Sequence, residues 1–448
     1  MSGFPRETSF SKGVSHFDSS SGEDSIEWDW SAKLVRSVMK QAVKYYLRFN
    51  DGTEITSLPE PIAGRSYMLY VHIPFCITLC PYCSFHRFKF HQETAANYFR
   101  FLREEMRMTA ALGYRFDSVC FGGGTTTVIP QELAKTIDLA KELFDVKDVS
   151  IETDPNHIDP ENLEYTVGRV DRLSVGIQTF NDKYLERIGR KLKFGSGEEQ
   201  YRKVEEILKL FPVVNVDMMY NFPEQTAQEL GEDIFTVLKL NPQQVTFYPL
   251  MYAPFAGHKF GKRLGRAGYE SEAGHYKLIT QMMGDPYIQR TSWAYAHKAG
   301  TNIDEYVVEH QEYVGLGSGA FSFLDGTLYA NSFSLKTYAD RISAGQTSAT
   351  KSVTFAPSAI NRYRMMVEMF GLQGNPAHKP FIEYNALRLL GAVKGSGKNA
   401  VITPKGMFLL SVMLKCFYNG MDYIRESMRR NLTAADERIM NISSLPSD

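Results

Sequence analysis

No apolar run in this 448-residue chain is long enough to cross a bilayer, and no secretory signal pattern opens it. Charge of one sign is lacking too. Fifty basic residues stand against 51 acidic ones, for a formal net charge of -1, so nothing in the balance points to nucleic acid or another polyanion. Cysteine is scarce, and five is an odd number for a disulfide framework. The chain is therefore expected to be soluble and cytoplasmic, with its thiols kept reduced. Its length leaves room for two or three domains and a sizeable core.

Three of the five cysteines fall in one stretch, Tyr70-Val-His-Ile-Pro-Phe-Cys76-Ile-Thr-Leu-Cys80-Pro-Tyr-Cys83, on a short loop after an apolar, strand-like run. Thiolate is a soft ligand suited to iron-sulfur clusters and zinc, and a Cys-x3-Cys-x2-Cys spacing lets three sulfurs converge from one turn of backbone. Structural zinc sites and purely electron-carrying clusters normally close all four ligand positions. A cubane held by three cysteines leaves one iron open. A zinc knuckle, or cysteines that merely lie close together, are the plainer alternatives. Cys120, in the apolar run Ser118-Val-Cys-Phe121, and the distant Cys416 read as small buried residues.

The cysteine loop resembles that of the radical S-adenosylmethionine superfamily, and the wider string with Tyr70 and His72-Ile-Pro-Phe resembles its branch containing oxygen-independent coproporphyrinogen III oxidase. The resemblance implies a 4Fe-4S cluster on Cys76, Cys80 and Cys83. Its open iron would bind the amino and carboxylate groups of S-adenosylmethionine. It also implies a flavodoxin or ferredoxin-type electron donor and an anoxic or low-oxygen setting.

Along the chain, residues 1 to about 30 are rich in Ser, Gly, Asp and Glu and are expected to form a mobile arm, its end tied down by Trp28 and Trp30. Residues 31–50 carry an apolar stripe at helical spacing (Leu34, Val35, Met39, Val43, Tyr46, Leu47) and are expected to pack outside the main domain. From Tyr67 short apolar strands alternate with amphipathic helices, the signature of a parallel α/β sheet. Strands are expected at 67–72, 118–121, 149–153, 173–177, 213–219 and 245–249, six in all, as in a partial (β/α)6, TIM-like radical enzyme barrel. The expected division is 1–62 arm and helix, 63–285 core barrel, and 286–448 a mainly helical C-terminal domain with a turn at Thr403-Pro-Lys-Gly406.

Loops at the carboxyl ends of such strands carry function. Gly122-Gly-Gly-Thr125 follows the second strand. The resemblance implies that Gly123, Gly124 and Thr125 meet the methionyl part of S-adenosylmethionine, that Glu152 at the end of the third strand also touches it, and that Gln178, Arg190 and Asp217 surround a second molecule of it. Tyr70, Tyr82 and Phe321 resemble further cofactor contacts. His297 and His310 are candidate heme-iron ligands, and the aromatic segments 292–297 and 329–333 are candidates for a flat pocket or for core.

Three departures separate this chain from its branch. The oxidase has a fourth cysteine two residues after the third, whereas this chain reads Cys83-Ser84-Phe85. The heme chaperones' His-Asn-x-x-Tyr-Trp is Glu309-His310-Gln-Glu-Tyr313-Val here, before Gly315-Leu-Gly317-Ser-Gly-Ala-Phe321. The usual Tyr-Gly-Leu-Pro is Tyr220-Asn221-Phe222-Pro223. The missing thiol and the retained second-cofactor residues resemble the methyltransferase-like members, and the length, the closing segment Gly315 to Phe321 and the C-terminal region resemble the anaerobic heme-utilisation enzymes. The expected function is radical C-methylation, with possible ring opening, of a tetrapyrrole or other conjugated ring. A heme-binding chaperone and a coproporphyrinogen III oxidase stay open as alternatives.

Overall fold

The computed structural model describes residues 25–49, 55–251, 264–265, 267–298, 312–430 and 432–438. Most of the expected arm, and His310, lie outside them. Among the described residues a twelve-stranded sheet runs through the molecule, parallel in its middle and antiparallel towards both edges. In the middle β1 (Met68–Ile73), β4 (Ser118–Gly123), β5 (Asp148–Thr153), β6 (Arg172–Gln178), β7 (Val213–Tyr220) and β8 (Gln244–Pro249) follow one another in register, with helices as crossovers. These are the six expected strands. The order is linear, with an edge at each end, so the sheet does not close into a barrel.

Strands later than residue 286 extend this sheet at both ends. β9 (Tyr287–Gln289) and β10 (Ala294–His297) add antiparallel beyond β8. On the other side β11 (Tyr313–Leu316) pairs parallel with β1, then β12 (Phe321–Leu324), β13 (Thr327–Asn331) and β14 (Ala349–Thr354) continue antiparallel. A two-residue pair, β2 (Phe75–Cys76) with β3 (Phe88–Lys89), closes the base of the cysteine loop.

The helices form where their sequence says. Ala95, Tyr98, Leu102 and Met106 of helix Gln92–Ala111 are fully buried at a spacing that keeps one face on the sheet. Thr226 and Glu229 make a reciprocal capping box before helix Ala227–Leu240. The C-terminal region is helical over Pro357–Phe370, Phe381–Leu389 and Pro404–Arg429. Thr403-Pro-Lys-Gly406 is the first turn of the last helix instead of a separate turn: Thr403 Oγ1 accepts from Gly406 N at 2.9 Å, and Pro404 sits where a missing N–H costs nothing.

The N-terminal helix, Trp30–Tyr46, does not stand apart. Asp29 caps it, accepting from Ser31 N and Ala32 N, and its other carboxylate oxygen pairs with Lys405 at 2.9 Å. The helix lies along Pro404–Arg429 so closely that a Cβ at Gly420 would stand 2.0 Å from Val43 Cγ1. Trp28 stacks on Tyr269 at 4.6 Å, while Trp30 is exposed and ties nothing down. Its apolar stripe is cavity wall: Val35, Met39 and Val43 help line a cavity of about 830 Å³.

Candidate active site

Cys76, Cys80 and Cys83 line one cavity of about 560 Å³ that extends along the parallel strands from their carboxyl ends to Asp148 and Arg172 at the amino ends of β5 and β6. Its floor follows from strand alternation, in which residues two apart share a face. Asp148, Ser150 and Glu152 of β5, with Asp154 just beyond it, and Arg172, Ser174, Gly176 and Gln178 of β6 all face the same space. Asp217 joins them from within β7, three residues before that strand ends at Tyr220. It is therefore a floor residue, not a strand-end one.

These polar groups hold one another. Ser174 Oγ and Asn215 Nδ2 donate to Asp217 at 2.8 Å each, and Arg172 donates to Gln244 at 2.7 Å and to Ser150 at 3.2 Å. Glu152 accepts from Gly123 N at 3.2 Å. Burial and the neighbouring Asp217 carboxylate push the Glu152 carboxyl up to about 7. Burial raises Asp217 as well, against the pull of Arg172 and its two hydrogen bonds.

The glycine segment meets the cysteine loop backbone to backbone. Gly124 N donates to Ile73 O at 2.8 Å and Thr125 N to Phe75 O at 2.7 Å, so the segment braces the chain leading into Cys76. Gly123 has φ +112, and a Cβ there would lie 2.5 Å from the His72 ring. The His72 ring is buried and held near 4 by that burial, hence neutral. Its Nε2 faces the carbonyl of His86 at 2.9 Å, which can only accept, so Nδ1 is left to accept from Tyr70 OH at 3.0 Å.

Cations face the thiols. Arg190 is buried, donates to Tyr82 OH at 3.1 Å and to Gly176 O, and lies 3.8 Å from Cys80 Sγ. Lys193 stands at the same distance from that sulfur. Burial pushes the Cys76 thiol up to about 11 and raises Cys83 too, so holding a metal would take their protons at a pH where the free thiols keep them. Among the described residues no three His, Cys, Asp or Glu side chains close around a single ion. Ligands to three different irons of a cubane stand further apart than ligands to one ion. The free thiols, two adjacent cations, and a buried Arg190 Nε with no acceptor among the described residues suit a thiolate cluster with a carboxylate-bearing cofactor.

The structure thus brings Tyr70, Tyr82, Gly123, Gly124, Thr125, Glu152, Gln178, Arg190 and Asp217 to the cysteine cavity. Phe321 is on the neighbouring one of about 830 Å³, with His72, Phe323 and the N-terminal helix. His297 is elsewhere. It pairs with the amino end of β8, and its Nε2 faces Asn241 Oδ1 at 3.0 Å, opposite the cysteines, so it is no heme ligand of this site. Of the two aromatic segments, Trp293 lines the cysteine cavity, and Tyr295 and Phe333 are core. Cys120 and Cys416 are buried and free. Reading the motifs missed Arg172, Lys193 and Asp154. The signal for Arg172 and Asp154 was the run of polar residues at alternate positions of β5 and β6. Lys193 had none.

Asn221, where the family pattern has glycine, takes φ +65, a conformation asparagine tolerates. It is held there by Ser271 Oγ at 2.8 Å and by Gln225 Oε1 on its own N–H at 2.8 Å.

The radical SAM superfamily pattern matches residues 70–237. The chain is 30% identical over 286 residues to the heme chaperone HemW of Bacillus subtilis, covering 61% of this chain and 75% of that protein. It is 25% identical over 453 residues to the oxygen-independent coproporphyrinogen III oxidase of Salmonella typhimurium (90% and 97%), and 26% identical over 300 residues to the anaerobilin synthase of Escherichia coli O157:H7 (63% and 66%). The solved coproporphyrinogen III oxidase of Escherichia coli superposes with a TM-score of 0.65 at 21% identity, over 84% of this chain and 98% of that one. This chain belongs to the radical SAM superfamily and is a radical SAM enzyme of the branch containing these proteins. The family implies a 4Fe-4S cluster and S-adenosylmethionine. No helix among the described residues is long and apolar enough to cross a membrane.

Proposed function

We propose that this enzyme C-methylates a tetrapyrrole or other conjugated ring, with ring opening as a possible further outcome, using a second molecule of S-adenosylmethionine. Cys76, Cys80 and Cys83 hold the cluster. Gly123, Gly124, Thr125 and Glu152 hold the first S-adenosylmethionine, and Gln178, Arg190 and Asp217 the second, with Arg190 taking a carboxylate. Bound there, the cluster and cofactor supply reductive cleavage of S-adenosylmethionine to a 5′-deoxyadenosyl radical. The protein's own share is to orient these molecules and keep water away from them. Buried Arg190 and Tyr82 fix one end of the pocket, and the neutral His72 fixes the Tyr70 hydroxyl at the other. The electron comes from an external flavodoxin or ferredoxin-type donor.

The observation that carries the reading is the second cavity. It is large, walled by aliphatic and aromatic side chains, and meets the cysteine cavity at Tyr70 and Phe85. A flat apolar ring suits such a space. Phe85 stands where the oxidase has its fourth cysteine, so the exchange that removes a thiol adds an aromatic wall. The relatives whose printed names concern heme, coproporphyrinogen and anaerobilin support a ring of this class.

Anaerobic reconstitution with iron, sulfide, dithionite and S-adenosylmethionine tests it, with mass spectrometry of the products. The expected products are 5′-deoxyadenosine, S-adenosylhomocysteine and a substrate heavier by one methyl group. Stoichiometric heme binding without 5′-deoxyadenosine would mean a chaperone, and protoporphyrinogen formation would mean the oxidase.

A further inference from the structure

Tyr70, Phe85, Tyr418 and Arg425 line both cavities, and of the four only Arg425 carries a charge. Its guanidinium lies 5.1 Å from the Phe85 ring centroid and 5.9 Å from that of Phe321. It donates to Asp422 at 2.7 Å. Two aromatic faces hold the planar fork in one orientation, and one carboxylate accepts from only part of a group with five donors.

Two more cations stand near it, both turned to the cysteine loop and interacting with Cys83, so they are not available to a ligand in the apolar cavity. Arg87 donates to the carbonyls of Cys80 and Cys83, and Arg429 to those of Ser84 and Phe85. Among the described residues the three guanidiniums meet only two carboxylates, Asp422 and Glu426, the second at 3.9 Å from Arg429. Arg87 Nε is buried with no acceptor among the described residues. The other charges on the apolar cavity, Arg362 and Glu383, are matched one to one.

We propose that Arg425 anchors a carboxylate of the ring substrate, so that the conjugated body fills the apolar cavity and its acidic edge lies at the passage to the cysteines. The assignment rests on the tetrapyrrole reading and adds to it that the substrate is an acid with a defined orientation. A charge-assisted pair in a partly desolvated passage discriminates strongly against a neutral ester of the same shape.

The test is equilibrium binding to the full-length protein, prepared anaerobically, of a metal-free porphyrin dicarboxylic acid and of its dimethyl ester, read by quenching of intrinsic fluorescence. The wild type is expected to prefer the acid by roughly tenfold or more. Arg425→Gln should lose that preference while binding the ester as the wild type does, which also shows it folded, and Arg425→Lys should keep part of it. Equal binding of acid and ester by the wild type overturns the assignment alone. So does a preference that survives in Arg425→Gln while S-adenosylmethionine binding weakens, which would give Arg425 to the cofactor's carboxylate. If neither ligand binds, the tetrapyrrole reading falls and this assignment with it.

Discussion

Glu152 is a carboxyl group buried beside a second one, Asp217, and burial raises both. With its proton held up to about 7, Glu152 is largely neutral below that value and charged above it. The charged form is acceptor-only on both oxygens, whereas the neutral form turns one of them into a donor. Binding of a cationic or donor-rich cofactor should therefore strengthen as pH rises through about 7, and the bound cofactor should in turn draw the proton off at lower pH. Calorimetric titration with S-adenosylmethionine between about pH 6 and 8 should show this rise, and Glu152→Gln should flatten it and weaken binding roughly tenfold at the upper end. Glu105 is a different case, a buried carboxyl that accepts from Gly317 N and Tyr338 OH at 2.8 Å and from Ser348 Oγ. Glu105→Ala would leave three buried donors unsatisfied, and a loss of at least about 2 kcal/mol in anaerobic urea unfolding is expected. The places of the cysteines and Glu152 were legible because each ends or follows a strand, and that of Arg190 because its separation from Gln178, across one helix, matches the family pattern. Glu105 was not, since a lone glutamate in an amphipathic helix looks like a solvated one until the fold lays Gly317 over it.

At the scale of elements, the six parallel strands were readable from apolar runs bounded by turn residues, and their ends agree with the structure to within a residue or two. The late strands were not. β9 to β13 are three to five residues long, too short to show a period, and only β10 and β11 among them pair with the parallel strands, the others pairing with late strands. The N-terminal helix shows the limit of amphipathic patterning: its stripe fixes which face is apolar, but not whether that face meets core or walls a cavity. Gly420 is where this placement can be tested, because Val43 Cγ1 occupies the space a side chain would need. Gly420→Val should lift the helix from Pro404–Arg429 at a cost of about 1–3 kcal/mol. Limited proteolysis should then cut within residues 30–46 faster than in the wild type, and a cleavage pattern unchanged by the substitution would put the helix elsewhere.

For the molecule as a whole, one sheet carries the cysteine cavity along its parallel strands from their carboxyl ends, and the late strands, the N-terminal helix and the C-terminal helices build the apolar cavity beside it. That second cavity could not be read in advance, since it is assembled from segments more than 300 residues apart in the chain, such as Val35 and Tyr418. On the proposed reading the chemistry depends on three thiols that the protein supplies and a fourth position that it leaves open. Electron paramagnetic resonance of the anaerobically reconstituted, dithionite-reduced protein tests this most directly, recorded before and after adding S-adenosylmethionine. The account predicts the signal of a single cubane whose g-values move when the cofactor is added, and the loss of that signal in the Cys76→Ala, Cys80→Ala, Cys83→Ala triple variant. A cubane signal indifferent to S-adenosylmethionine, or one that persists in the triple variant, would contradict it.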